Sequence, residues 1–409
     1  MMRSGSALLC IGLIFSCETM ALAQNGRARD ETASWYEPTE PVRIVGPIYF
    51  VGTRGLSAYL VTTPQGHILL NGAMPKSAPS IEASIRKLGF KPEDIRFLLA
   101  GHAHIDHVGT HAHFKKLSGA SVAMVHAERD LIQSGGRADF HYGHLEEFHF
   151  EPVAVDRVLH DGETIKLGDV AMTAILTPGH TRGSTTWTMT VRSGDQSYTV
   201  VFPDGTSINP GYRLVKEPSY EGIAADYRRS LGVLANLKPD IWLAPHTSFF
   251  DFHRKRARAA KQGARAWVDP DGYRRDIADR RRNYERQVKA EESSVGLRDA
   301  TWRLVRYQNG DGTRMEPGDR TPYTVSFKAN GRATVRIDCN SGSGTWKVGG
   351  WNQIDLGPLA LTRAACPPHA LTDRLAKDWS SLTSYELRNG RLILSSSDKA
   401  DRYEFGPAP

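Results

Sequence analysis

At 409 residues the chain is too long for one ordinary core, so two domains are expected. A hydrophobic fraction of 40% and a charged fraction of 24% describe a soluble globular protein, which excludes a disordered or membrane-embedded chain. The formal net charge of +7 is mild and not gathered in a long basic block, which argues against nucleic acid as a partner.

The first residues, "MMRSGSALLCIGLIFSCETMALAQ", carry one Arg, an apolar stretch from Ala7 to Phe15, and Ala21-Leu22-Ala23. This pattern predicts a signal peptide over residues 1–23, cleaved before Gln24, and hence a periplasmic or secreted protein. The apolar stretch is shorter than the roughly 20 residues that span a bilayer, so no transmembrane segment is expected. "IFSC", Ile14 to Cys17, offers a lipoprotein alternative, although Phe15 suits its second position poorly. With Cys10 and Cys17 in the leader, the mature chain keeps Cys339 and Cys366. In an oxidising compartment these suggest a disulfide, worth roughly 3 kcal/mol, against the alternative of two buried thiols.

From Val42 to Pro75 short β-branched and aromatic runs alternate with Gly and Pro turns, which predicts antiparallel strands. "SAPSIEASIRKLGF" reads as a helix: Ser77 or Ser80 at its cap, Ile81, Ile85 and Leu88 on one face, Gly89 at its stop. "IRFLLA" is a strand, followed by helix, strand and helix as far as Gly136. "VAMTAIL", "STTWTMTV" and "SYTVVF" are strands, "YEGIAADYRRSLGVLANL" is a helix, and "PDIWLAPH" closes a further strand. The mixed-sign run Asp276 to Glu292 reads as a solvated helix. Two strand series with helices between and after them predict a layered α/β domain with two sheets, over residues 24–292. From about Arg298 to residue 409, strands with N-G, D-G and G-G turns, interrupted by one helix, predict a second, β-rich domain.

The chemistry concentrates where strands end. "GHAHIDHVG" places His102, His104, Asp106 and His107 directly after "IRFLLA"; His180 follows "AILTPG", and His246 follows "WLAP". A rigid sheet can aim groups carried on such loops. Histidine and aspartate are ligands that zinc accepts. Residues two apart on an extended segment point the same way, so His102 and His104 can share an ion. A turn at "DHVG" would let Asp106 and His107 serve a second. With His180 and His246 as the remaining ligands, one site has three histidines and the other Asp-His-His. Structural zinc sites prefer cysteine and fill all four positions; this domain lacks cysteine once the leader is removed, and open positions are the catalytic pattern. "SIRK", Ser84 to Lys87, fits a serine β-lactamase pattern but lies on an expected surface helix without companion motifs. His111 and His113 are expected to be solvated polar positions.

"GHAHIDHVG", "TPGHTRGSTTW" and "APHTSFFD" resemble the metallo-β-lactamase superfamily, whose members are αββα sandwich hydrolases; the likeness runs from about Ile44 to about Gly263. "IYFVGTRGLSAYLVTTPQGHILLNGAMP" and "NPGYRLV" look most like subclass B3. The resemblance implies two zinc ions per chain, one on His102, His104 and His180, the other on Asp106, His107 and His246. It departs at Asn71, where many relatives carry Asp, and at Gly205, where B3 enzymes often carry serine. Asp204 would bridge the metals, as in thioesterase and lactonase members, if the register slipped by one residue. "WRLVRY", "RIDCNSGSGTW" and "LGPLALTRAACPP" resemble the META/HslJ family, which implies a small β-rich accessory domain.

The resemblance implies opening of the β-lactam ring of a small-molecule antibiotic by hydroxide generated at the zinc ions, with Asp106 orienting the water and Ser207 a candidate for holding the substrate carboxylate. The alternatives are a lactonase or thioesterase of the same fold, or a non-catalytic protein that binds through its C-terminal domain.

Overall fold

The structure is a computed structural model that describes residues 32–293, 296–298, 300–317, 323–348, 352–365, 370–388, 390–398 and 400–408. The expected leader over residues 1–23 and Cys366 lie outside the described residues.

The first sheet contains β1 (Val42–Val45), β2 (Ile48–Phe50), β3 (Tyr59–Thr63), β4 (Gly66–Leu70), β5 (Ile95–Leu99), β6 (Ser121–Val125) and β7 (Arg157–Leu159), in that spatial order. Pairing is antiparallel from β1 to β4 and parallel from β4 to β7. Parallel neighbours need crossovers, and these hold α1 (Ala78–Lys87), α2 (Ile105–Val108), α3 (His111–Ser118) and α4 (His126–Gln133). Both faces of β4 are buried, as a covered sheet requires. Leu70 and Leu99 enter one core cluster, while their neighbours Leu69 and Leu98 enter another with Ile81, Ile85 and Phe114. The two-residue period of the strands makes this division.

Helix α1 ends as expected, with Gly89 at φ 86°. Its expected caps do not form: Ser77 makes no side-chain cap bond, and Ser80 Oγ donates to the Ser77 carbonyl at 3.2 Å. In "SIRK" the two key side chains diverge, Ser84 being buried while Lys87 pairs with Glu40 at the surface.

The second sheet runs β12-β11-β10-β9-β8, built from β8 (Thr164–Leu167), β9 (Val170–Leu176), β10 (Thr185–Ser193), β11 (Gln196–Phe202) and β12 (Ile241–Trp242). Met172, Trp187 and Val200 pack in one cluster with Phe50, Tyr59 and Leu99 of the first sheet. Helices α5 (Ile223–Asn236), α6 (Phe252–Gln262) and α7 (Pro270–Ser293) bring Leu234, Phe252 and Ile277 to that same core. The result is an αββα sandwich.

The mixed-sign helix is not simply solvated. Tyr273, Ile277 and Tyr284 of α7 are buried, and the two tyrosine hydroxyls donate to Leu234 O and Ala224 O, each at 2.8 Å. The charges occupy the other faces of an amphipathic stripe.

The C-terminal part forms a third sheet from β13 (Thr301–Gln308), β14 (Arg314–Met315), β15 (Tyr323–Phe327), β16 (Arg332–Ile337), β17 (Asn340–Val348), β18 (Ile354–Leu356), β19 (Ala360–Leu361), β20 (Leu382–Arg388), β21 (Arg391–Ser396) and β22 (Arg402–Pro407). Its main path is β18-β17-β16-β15-β13-β22-β21-β20. Helix α8 (Ala370–Asp378) contributes Leu371 and Leu375 to a separate core with Trp302, Tyr307 and Trp379. Cys339 is disulfide-bonded. No helix among the described residues is long and apolar enough to cross a membrane.

Candidate metal centre

The loop after β5 descends towards the loops after β9, β11 and β12. Gly101 makes the approach possible, because a Cβ there would come 1.9 Å from Asp204 Oδ2. The loop is tied down from several sides. Asn71, at φ 61°, accepts the Gly101 N–H on Oδ1 at 3.1 Å. Trp187 Nε1 donates to Ala100 O at 2.9 Å, and the Thr185 N–H donates to Gly101 O at 2.6 Å. Glu128, fully buried, takes the Ala103 N–H on one carboxylate oxygen at 2.7 Å and the Gly183 N–H on the other at 2.9 Å. One side chain thus joins the two loops that carry His102, His104 and His180. Burial pushes the Glu128 carboxyl up to about 7, against the pull of these donors.

Among the described residues, donor atoms of His102, His104 and His180 lie within 4.8 Å of one another, and so do those of His102, Asp106 and His107. Asp106 Oδ2 is 3.1 Å from His107 Nε2 and 3.4 Å from His246 Nε2, which brings His246 to the same carboxylate. All six residues expected from the sequence therefore converge.

The outer nitrogens decide which way each imidazole presents its lone pair. His102 Nδ1 donates to Asp204 Oδ1 at 2.9 Å, His104 Nε2 to Asp139 Oδ2 at 3.1 Å, and His180 Nδ1 to Ser207 O at 2.8 Å. With those protons fixed outside, His102 Nε2, His104 Nδ1 and His180 Nε2 all turn lone pairs inward. His104 Nδ1 and His180 Nε2 approach to 3.2 Å, close enough to share a proton or to meet on one cation. His102 Nε2 and His107 Nδ1 are buried with no hydrogen-bond partner among the described residues. Such atoms are costly unless something binds them. The donor set, imidazole nitrogen and carboxylate oxygen, suits zinc.

The local electrostatics favour binding-competent forms of His102, His180 and Asp106, whereas at His104 a cation has to displace a proton. Burial, reinforced by the neighbouring imidazoles, holds His102 and His180 well below the ordinary histidine range, so both are neutral. Burial opposes the charge of Asp106, but the charge and hydrogen bonds of His107 and His246 outweigh it and keep the carboxyl well below its usual range. Burial likewise opposes protonation of His104, and Asp139 outweighs it, so the His104 pKa is raised.

Asp204 stands behind His102: its Oδ1 takes both the His102 Nδ1 proton and the Gly205 N–H, the latter at 2.5 Å, while its Oδ2 packs against Gly101. Gly205 itself has φ 82°, and a Cβ would come 1.9 Å from Thr177 O, so serine does not fit this backbone. His111 departs from expectation: it is fully buried, with Nε2 donating to Leu99 O at 3.3 Å. His113 is exposed, as expected, and pairs with Glu82.

Ser207 is half-buried, and its Oγ accepts from Arg280 Nη1 at 3.2 Å. Arg280 comes from α7, binds Asp276 through Nε at 2.6 Å, and lies 4.6 Å over the Phe249 ring. Phe249 is 4.9 Å from the His246 ring, while the Ser207 carbonyl holds His180. A guanidinium therefore sits at the rim between the two donor clusters. Sequence reasoning missed Arg280, Asp139 and Glu128. The α7 stripe could have indicated which face of the helix turns inward; Asp139 and Glu128 lie in stretches with no distinguishing spacing.

A sequence model described as the metallo-β-lactamase superfamily matches residues 51–246, and one described as the META domain matches residues 295–408. The native FEZ-1 metallo-β-lactamase from Legionella gormanii is 40% identical, with a TM-score of 0.62 covering 63% of this chain and 98% of that one. The class B3 di-zinc metallo-β-lactamase LRA-12 from an Alaskan soil metagenome is 36% identical, with a TM-score of 0.60 covering 62% of this chain and 96% of that one. A probable metallo-hydrolase of Burkholderia pseudomallei is 29% identical over 165 residues, 40% of this chain. The chain spans about half of that curated relative, 54% of its length. Convergent donor residues in an αββα sandwich, together with identity to B3 enzymes along nearly their whole length, show that the chain belongs to the metallo-β-lactamase superfamily and bears a C-terminal META domain.

Proposed function

We propose that this protein is a di-zinc hydrolase that opens the β-lactam ring. The observation that carries the reading is the inward orientation of three imidazole lone pairs, each fixed by its own outer partner. His102, His104 and His180 would hold one ion; Asp106, His107 and His246 would hold the other. Zinc bound there would supply Lewis acidity and bring the pKa of a water near 7. Asp106, ionised and facing two imidazoles, can orient a water and accept its proton. Asp204, Asp139 and the Ser207 carbonyl keep the imidazoles in the required tautomers. Arg280 and Ser207 offer a charged, hydrogen-bonding rim suited to a substrate carboxylate. The leader-like residues 1–23 support an exported enzyme.

Asp204 Oδ1 is taken by both His102 and Gly205 and Oδ2 packs against Gly101, which weighs against a bridging carboxylate of the lactonase or thioesterase kind. The complete donor set weighs against a purely non-catalytic binding protein. The test sets the zinc-loaded protein against a chromogenic cephalosporin, an acyl-homoserine lactone and a glutathione thioester. Cephalosporin turnover that chelation abolishes, that zinc restores and that His102→Ala lacks is expected. Full turnover in a His102→Ala, His180→Ala double variant would overturn the proposal.

A further inference from the structure

The outward face of the C-terminal sheet concentrates positive charge far from the donor clusters in sequence. β13, β22, β21 and β20 lie side by side, and their alternation turns Tyr307, Tyr403 and Leu392 into the core. The alternate positions shape an open cleft of about 320 Å³ lined by Arg306, Arg388, Arg391 and Arg402, with Gln308, Ile393 and Glu404. Arg314 reaches the same rim, its Nε donating to Gln308 Oε1 at 3.3 Å.

The carboxylates do not balance this charge. Glu404 is shared between Arg306 and Arg391. Glu386, opposite Ile393, is the other carboxylate on this face. Among the described residues, five guanidinium groups thus stand against two carboxylates around the cleft. Among the described residues Arg388 and Arg402 form no ion pair. Arg388 also lies directly across the β20–β21 pairing from Arg391. Like charges placed opposite each other in a sheet cost stability, and an anion bound between them would turn that cost into binding.

The lining narrows the ligand class. Guanidinium forks match phosphate oxygens two at a time. A cleft of about 320 Å³ suits a compact molecule. None of its lining residues is aromatic, so it offers no platform on which a nucleobase could stack. We infer that this cleft is a binding site for a compact ligand bearing two or more phosphate groups. Free sugar bisphosphates and phosphorylated lipid headgroups share that chemistry. The inference stands whatever the sandwich domain hydrolyses.

The test uses the full-length, zinc-loaded chain. Fructose 1,6-bisphosphate is titrated calorimetrically at low and high salt, and the protein is sedimented with phosphatidylcholine vesicles with or without a phosphatidylinositol bisphosphate, whose headgroup carries more than one phosphate. The expected result is saturable binding in at least one arm: binding to the free bisphosphate alone marks a soluble ligand, binding to the phosphoinositide vesicles alone marks a lipid headgroup, and binding to both shows that the shared phosphate chemistry is what the cleft recognises. Binding weakens with salt, as charge-dependent contacts do. An Arg388→Glu, Arg402→Glu double variant binds at least ~10-fold more weakly. An Arg388→Gln, Arg402→Gln variant, which removes charge without adding repulsion, gives an intermediate loss, and both variants keep wild-type hydrolase activity and melting temperature. A His102→Ala, His180→Ala variant binds normally, which separates this site from the metal centre. Absence of binding in both arms, or binding that the arginine variants leave unchanged, overturns the inference.

Discussion

His102 Nδ1 lies 2.9 Å from Asp204 Oδ1, and both side chains are buried. One residue follows β5 of the first sheet and the other follows β11 of the second, so this hydrogen bond joins the two halves of the sandwich beneath the donor cluster. The carboxylate holds the Nδ1 proton and leaves Nε2 free to bind. Asp204→Ala should therefore lower zinc affinity by roughly 10–100-fold, the usual range for loss of such an outer partner. Competition with a chromogenic chelator measures it. Unchanged affinity would mean that the imidazole is oriented by packing alone.

Arg280 makes a separable contribution. Its side chain is only 16% exposed, and the guanidinium lies between Ser207 and Phe249, apart from the six donor residues. If it receives a substrate carboxylate, Arg280→Ala should raise KM for an anionic β-lactam by about 10-fold, equivalent to about 1.4 kcal/mol, with kcat little changed. The methyl ester of the same substrate should show no such difference. Equal effects on acid and ester would show that Arg280 shapes the pocket without recognising charge.

The sandwich and its six converging side chains were legible because chemistry and pattern coincided at strand ends. Alternating β-branched runs marked the strands, and three of them, β5, β9 and β12, delivered the histidines and the aspartate to the same edge. The outer partners were not legible. Asp139 and Glu128 reach the site through tertiary folding from segments with no motif, and their hydrogen bonds cross 35 and 25 residues of chain to His104 and Ala103. His111 departs from its expectation for a related reason: nothing local separates it from His113 on the same helix, yet it fills the space beneath Gly72, where its Nδ1 would lie 3.0 Å from an added Cβ. The α7 helix was read from its charges; its tyrosines, not its arginines, show which face is buried.

Burial lowers the pKa of His111 to about 4, from 6.5 for the free side chain. Between those values the unfolded chain binds a proton that the folded chain refuses. Its stabilising contribution is therefore complete above about pH 6.5 and is lost as pH falls towards 4. From pH 7 to pH 5 the loss amounts to ~2 kcal/mol. His111→Gln can still donate to Leu99 O but does not titrate, so its urea stability should fall less over that interval. The comparison belongs on metal-free protein, because zinc affinity itself changes with histidine protonation. Parallel pH profiles for both proteins would refute the assignment.

The C-terminal domain touches the segment that supports His180. Tyr212 donates its hydroxyl to His180 O at 2.7 Å, and the next residue, Arg213, leaves the sandwich domain to donate to Asn352 Oδ1 at 3.1 Å. Its guanidinium also lies 5.1 Å over the Tyr385 ring, whose hydroxyl reaches Glu217 Oε2 at 3.4 Å. A cation over a partly desolvated ring is worth about 0.5–2 kcal/mol. A double-mutant cycle with Arg213→Ala and Tyr385→Leu, read by urea unfolding, should therefore give a coupling energy of ~1 kcal/mol. The Arg213→Ala variant should also be cleaved faster by trypsin between the domains, since losing this clasp leaves two long contacts on Glu217, the Tyr385 hydroxyl at 3.4 Å and Arg298 at 3.8 Å. Strict additivity in the cycle, with unchanged proteolysis, would show that the contact is geometric only and that the two domains meet without holding each other.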